Sequence, residues 1–188
     1  MQAARQPFTF EDYVDLEVGS PVKHEFLDGQ VWAMAGGSPE HAAIAGNVIG
    51  LLRAALMGKR CRVFTSDLRV RAGATGLGTY PDASVICGAI VLDPGDRHGH
   101  TATNPTVLVE VLSPRTEGYD RGEKLAHYKT IESLREVMLV AHDERRVDLW
   151  RRVADHWTQI TFTASEAVML ESLGCSLAVA DIYFDPLA

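Results

Sequence analysis

Cysteine, long apolar runs and basic charge are all scarce in this 188-residue chain. Its three cysteines, Cys61, Cys87 and Cys175, are an odd number and lie far apart, so neither a CxxC metal ribbon nor a disulfide framework is written in their spacing. A reducing compartment is the expectation. No stretch approaches the roughly 18 to 20 apolar residues of a membrane-crossing helix. The segment from Met1 to Pro7 carries Arg5 with no apolar run behind it, so a soluble, cytoplasmic protein without a membrane partner is expected. Basic residues number 18 against 25 acids, a net charge of −7, which excludes coating of nucleic acid or anionic lipid by bulk charge. Familiar catalytic motifs are missing too. Gly58-Lys59 lacks the P-loop glycine five positions earlier, where Arg53 stands, no GxSxG elbow occurs, and His24-Glu25 meets Asp28 where a zinc HExxH helix needs its second histidine.

What is present suits one α/β domain spanning 1–188, with 46% hydrophobic residues to fill a core. Lys23 to Ala35 reads as a hairpin around Asp28-Gly29, a dipeptide fitted to a tight primed turn. Ser38-Pro39-Glu40 opens a helix with apolar residues at helical spacing up to Gly58. Short strands are expected at Cys61–Thr65, Leu68–Arg71 and Thr79–Ile86, with a loop at Gly95–Asn104. Thr106 to Leu112 is a strand covered on both faces, with Leu108, Glu110 and Leu112 on one side and Val107, Val109 and Val111 on the other. A helix from Asp120 to Ile131 and a strand from Glu136 to Ala141 complete a strand–helix–strand unit, which implies a parallel pair. Val147–Arg152 and Trp157–Phe162 form a second hairpin across Ala154-Asp155. Its tryptophans, Trp150 and Trp157, read as packing rather than as a base-stacking platform.

Glu110 is the most informative residue, because a carboxylate within VLVEVL loses its hydration and requires a cation or strong donors. Asp82, in Tyr80-Pro81-Asp82, is a second strand-borne acid. If the two strands are neighbours, both acids can offer hard oxygens to one Mg2+ or Mn2+, an ion that keeps waters and takes substrate phosphate as further ligands. Asp120, Lys124 and Tyr128 follow at i, i+4, i+8 and share one helix stripe. Lys124 is then either a surface partner of Asp120 or an ammonium aimed over the strand end at Asp82 and Glu110. The second arrangement suits phosphodiester cleavage, with a metal activating water and a lysine offsetting phosphorane charge. Two other constellations carry less. The basic stretch from Arg53 to Arg71 offers Arg69 and Arg71 as phosphate contacts or as a solvated surface, and Asp96, His98 and His100 read as a solvated polar loop rather than a metal site.

Glu25-Phe-Leu-Asp-Gly29, His41, Ser66-Asp67-Leu-Arg-Val70, Pro81-Asp-Ala-Ser-Val85, Glu110-Val-Leu-Ser-Pro114, Asp120, Lys124, Tyr128 and Glu136 together resemble the Uma-type restriction endonuclease family of the PD-(D/E)xK nuclease superfamily, over residues 7 to 185. The resemblance implies a restriction-endonuclease-like α/β fold: a central mixed sheet flanked by helices, with N-terminal and C-terminal β-hairpin additions. It implies Asp82 and Glu110 as metal-binding acids, joined by the Val111 backbone carbonyl, and Lys124 as the catalytic lysine. Glu25, near a second ion or the attacking water, and His41, near phosphate or base, are the further site residues. Leu112 stands where the superfamily motif places its lysine, so Lys124 must come from the following helix. The expected activity is Mg2+- or Mn2+-dependent DNA cleavage by a homodimer, since cutting both strands of a duplex calls for two sites related by its two-fold axis. Against it stand a non-catalytic nucleic-acid-binding or oligomeric interaction domain on the same fold and a hydrolase of another phosphodiester or nucleotide. Asp67, Asp120 and Tyr128 carry no assigned role.

Overall fold

The computed structural model describes residues 7–187; residues 1–6, and with them most of the N-terminal segment considered above, lie outside it. The chain runs through α1 (Phe10–Gly19), β1 (His24–Leu27), β2 (Gln30–Ala33), α2 (Pro39–Ala55), β3 (Cys61–Thr65), β4 (Arg69–Ala72), β5 (Leu77–Thr79), β6 (Ala83–Cys87), β7 (Thr101–Ala102) and β8 (Val107–Val111). There follow α3 (Glu117–Tyr119), a π-helical turn (Asp120–Lys124), α4 (Leu125–Lys129), β9 (Glu136–Val140), β10 (Arg146–Val153), β11 (His156–Thr163), β12 (Ala167–Leu170), β13 (Cys175–Ala178) and α5 (Val179–Ile182).

The central sheet has six strands in the order β11-β10-β9-β8-β6-β3. β8 and β9 are parallel and the other neighbours antiparallel. Helical residues connect the parallel pair, because parallel neighbours need a crossover. β8 is buried along its whole length. Its alternation sends Val107, Val109 and Val111 into a core shared with α2, β12, β13 and α5, and Leu108 and Leu112 into a second core with α4. Glu110 projects on the Leu108 side, where the apolar packing leaves off. β10 and β11 form the C-terminal hairpin, with Ala154 at positive φ in its turn. Trp150 and Trp157 pack on the second core beneath Lys129 and Arg152.

A second sheet, β2-β1-β5-β4-β7, carries the N-terminal hairpin. Asp28 and Gly29 both take positive φ in its turn, the geometry a primed turn demands. The sequence reading runs one strand from Thr79 to Ile86, whereas the chain leaves the second sheet after Thr79 and enters the central one at Ala83. Proline in Tyr80-Pro81-Asp82 has no N–H to give a ladder, and the break falls there. Asp82 therefore stands at the seam between the two sheets. The expected helix from Asp120 begins at Glu117 and passes through a π-helical turn.

α1, β12, β13 and α5 were not anticipated, and β7 lies within the expected loop Gly95–Asn104, where it pairs with β4. α1 has a legible start, Thr9-x-x-Asp12, whose side chains and backbone N–H groups cap each other reciprocally. Its Phe10, Tyr13 and Val14 pack with Phe26 of β1. The expectation of no disulfide is also corrected: Cys61 and Cys87 are partners in the β3–β6 register and are joined. Sequence spacing cannot show this, because register places them opposite each other. Cys175 is free.

Candidate active site

Asp82 is held at the start of β6 from two sides. Tyr80, two residues before it, donates its hydroxyl to Glu17 Oε2 of α1 at 2.6 Å. Asp82 itself accepts the Val111 N–H at 2.7 Å through Oδ2. The antiparallel pairing of β6 with β8 thus brings the first acid to the end of the strand that bears Glu110. His41 Nε2 lies 3.2 Å from the same Asp82 oxygen, with the Val111 carbonyl beside the ring. The Ser38 side chain caps α2 by accepting the His41 N–H at 3.2 Å, which fixes where this histidine leaves the helix. Gly37 lies against the ring so closely that a Cβ there would come within 2.5 Å of Nδ1.

Lys124 occupies the centre. Its Nζ lies 3.0 Å from Glu110 Oε1, 3.1 Å from Glu25 Oε1 and 3.4 Å from Asp120 Oδ1, and all four side chains are only 5–6% exposed. The surface-pair reading of Asp120 and Lys124 is thereby corrected. The π-helical turn spans both residues and delivers them together to the strand end; such turns recur at functional sites. Tyr128, one turn on, donates its hydroxyl to Glu110 Oε1, and Thr79 donates to Glu25 Oε1. Glu25 is therefore a buried site residue rather than a charge at a hairpin tip.

The electrostatics follow from burial. Desolvation pushes the Glu110 carboxyl up to about 8, opposed by the Lys124 charge and reinforced by Asp82 and Asp120. Burial works against the Lys124 ammonium, yet Glu110 and its other anionic neighbours outweigh it and hold its pKa well above the usual lysine range. The His41 imidazolium is favoured by its hydrogen bond to Asp82, against some desolvation. Four acidic side chains face one lysine and one histidine, so acids outnumber bases in the site. Among the described residues no hydrogen bond engages Asp82 Oδ1 or Glu110 Oε2. Hard oxygens in such a pocket suit a divalent ion such as Mg2+, with water completing its coordination, although no cage of three or more His, Cys, Asp or Glu side chains is formed among the described residues. The site opens into a cleft of about 1010 Å3, lined among others by Trp32, Met34, Ala45, Ile49, Arg115 and His142.

Other sequence candidates lie apart from this chemistry. Arg69 is buried, giving Nη2 to Asp96 at 3.0 Å and Nε to Thr101 at 2.7 Å, and Arg71 pairs with Asp93 at 3.0 Å. Both are engaged in internal ion pairs rather than forming a solvated basic stripe. Asp96 is likewise buried rather than solvated: it accepts from Arg69, from Thr101 and from the His98 and His100 N–H groups. Asp67 is an exposed turn residue paired with Lys23 at 2.8 Å. Glu136 is a structural anchor, bound by Arg151 and by the Glu171 and Ser172 backbone. Trp32 was overlooked; its position opposite Glu25 in the β1–β2 register was the available signal.

A mixed sheet that sets a lysine among strand-borne acids at the floor of a cleft defines a nuclease-like α/β domain. Residues 10–180 match the Uma2 family, described as "Putative restriction endonuclease", and the chain belongs to that family. Two "Uncharacterized" proteins of Synechocystis sp. (strain ATCC 27184 / PCC 6803 / Kazusa) are similar along nearly their whole length. One, slr1290, is 38% identical over 92% of this chain and 90% of its own; the other, sll1609, is 28% identical over 90% and 94%. A crystal structure described as a putative nuclease belonging to DUF820, from Anabaena variabilis ATCC 29413, superposes with a TM-score of 0.71 at 19% identity, covering 91% of this chain and 97% of that one. The restriction-endonuclease-like fold expected from the sequence is the fold observed.

Proposed function

We propose that the protein is a Mg2+-dependent DNA endonuclease, with Mn2+ as an alternative ion, that hydrolyses phosphodiester bonds at the Asp82–Glu110–Lys124 floor of the cleft. The observation that carries this reading is the burial of Lys124 against Glu25, Glu110 and Asp120 beside Asp82. Surface electrostatics give no reason to bury one ammonium among so many carboxylates, because taking ions out of water costs several kcal/mol each. Asp82, Glu110 and the Val111 carbonyl are the groups that would hold the ion. When bound, it would supply charge neutralisation for the scissile phosphate and a more acidic water.

The chain's own residues do the rest. Lys124 presents an ammonium that orients water and offsets charge developing on phosphate oxygens, a contribution made chiefly in the transition state. Tyr128 and Thr79 hold Glu110 and Glu25 in fixed orientations. His41, held by Asp82, presents its imidazolium to the cleft as a phosphate contact.

Single-turnover cleavage of single-stranded, duplex and branched DNA with Mg2+ or Mn2+ tests the reading. Wild type cuts at least one substrate. Lys124→Gln lowers that rate by orders of magnitude while DNA affinity changes little. Binding without cleavage across the panel would favour the non-catalytic nucleic-acid-binding domain.

A further inference from the structure

Trp32 sits directly opposite Glu25 in the β1–β2 register, so both side chains leave the same face of the second sheet. That face is the cleft wall, since Glu25 contacts Lys124 and both residues line the cavity. Trp32 is half-buried, belongs to none of the apolar clusters among the described residues, and stacks on no aromatic ring there. Trp150 and Trp157, by contrast, are packed and covered by Lys129 and Arg152. A half-buried aromatic side chain that lines the cleft outside the apolar clusters can take an occupant of similar shape.

We infer that Trp32 is the stacking platform for a nucleobase next to the scissile phosphate, and that the substrate is an unpaired strand of DNA. The inference rests on the nuclease reading of the same site.

Depth, room and charge support it. Glu25, Glu110 and Lys124 are each 4% exposed, so a phosphate reaching them draws its own nucleoside down into the cavity that Trp32 and the α2 residues Ala45 and Ile49 line. A base that remains paired and stacked brings its complement and neighbours with it, and extruding it from a duplex costs a few kcal/mol. An unpaired base pays little of that cost and gains the stacking contact. At about 1010 Å3 the cleft far exceeds the space of an ion and its waters, each of which takes about 30 Å3. Duplex DNA presents a phosphate about every 1.7 Å of axis. Against this the protein has a net charge of −7, with Arg69 and Arg71 committed to internal ion pairs. At the cleft rim, Lys23 is bound to Asp67 and Ser66, and Arg115 is exposed. So few cations match the lower charge density of a single strand. One strand also needs only one site, which removes the symmetry argument for a homodimer.

The test is equilibrium binding of a labelled 20-nucleotide single strand, about the span of two duplex turns, and of the same sequence as a blunt duplex, with Ca2+ in place of Mg2+. Cleavage of both is measured in parallel with Mg2+. The single strand is expected to bind at least about tenfold more tightly than the duplex. Trp32→Ala is expected to weaken single-strand binding by about tenfold or more, the size of one lost base–aromatic stack, while Trp32→Phe retains most of it. Both variants are checked for an unchanged melting temperature, and Trp32→Phe keeps the test decisive if Trp32→Ala folds poorly. Duplex binding as tight as single-strand binding, or single-strand affinity unaltered in Trp32→Ala, would overturn the inference. Selective, Trp32-dependent binding without cleavage would support the stacking of an unpaired strand on Trp32 while sinking the nuclease reading, and with it the scissile phosphate beside the base. Equal, Trp32-independent cleavage of both substrates would do the reverse.

Discussion

Asp96 and Lys124 are buried charges of opposite sign, and each fixes an expected outcome. Burial raises the Asp96 carboxyl, but hydrogen bonds from Thr101 and the His98 N–H, together with the Arg69 charge, outweigh it and hold the pKa at about 2 against an ordinary 3.8. A carboxylate depressed on folding contributes stability that is fully present above its ordinary value and is lost as pH falls through the folded one. Wild type should therefore lose stability between about pH 4 and pH 2, and Asp96→Asn should remove that part of the acid dependence. Asp96→Asn should also cost about 3–5 kcal/mol, because Arg69 keeps its charge without its counter-ion; urea unfolding at several pH values checks both. Lys124→Ala strips the cation from three buried carboxylates and should cost a similar amount, about 3–5 kcal/mol, in metal-free buffer. An exposed helix pair would lose only about 0.3–0.5 kcal/mol. Glu110 was legible as a residue in need of a cationic or donor partner, because an acid inside VLVEVL loses its hydration; Lys124 and Tyr128 supply that partner. Arg69 was misread because charge counting along a chain cannot distinguish a buried guanidinium from a solvated one.

Whole elements set the angles at which these residues meet. α2 delivers His41 through the Ser38 cap, and Gly37 leaves the ring its space. Gly37→Ala should displace the imidazole and reproduce most of the rate loss of His41→Ala with little change in melting temperature; parallel single-turnover rates decide this. β3 is an edge strand fastened to β6 by the Cys61–Cys87 bond. Closing a loop of this separation should contribute about 3.5 kcal/mol by chain entropy, measurable as a lowered urea midpoint in dithiothreitol or in Cys61→Ser. Periodicity and turn chemistry made α2, β8, β9 and both expected hairpins readable. The switch of sheets at Tyr80-Pro81-Asp82 was not, since a proline marks a break without saying which partner strand lies beyond it. The π-helical turn was equally hidden, because Asp120 and Lys124 stand at i, i+4 whether or not the helix widens between them.

At the scale of the molecule, two sheets meet along the seam that carries Asp82, and the cleft opens where they part. Motif order and spacing pointed to the fold and to the residues gathered there. The stacking wall escaped, because it depends on β1 and β2 facing the central sheet across the cleft. With so few free cations at the rim, about three phosphate contacts are expected, giving a slope of log K against log salt of about −2 for a single strand. The central claim is that Asp82 and Glu110 hold a divalent ion on which Lys124-assisted phosphodiester cleavage depends. It is tested most directly by single-turnover cleavage across a Mg2+ titration for wild type and Asp82→Asn, with folding verified by melting temperature. The account predicts no wild-type cleavage in chelator, saturable activation by Mg2+, and a loss of several orders of magnitude in Asp82→Asn at every concentration. Cleavage that persists in chelator, or an Asp82→Asn rate equal to wild type, would contradict it.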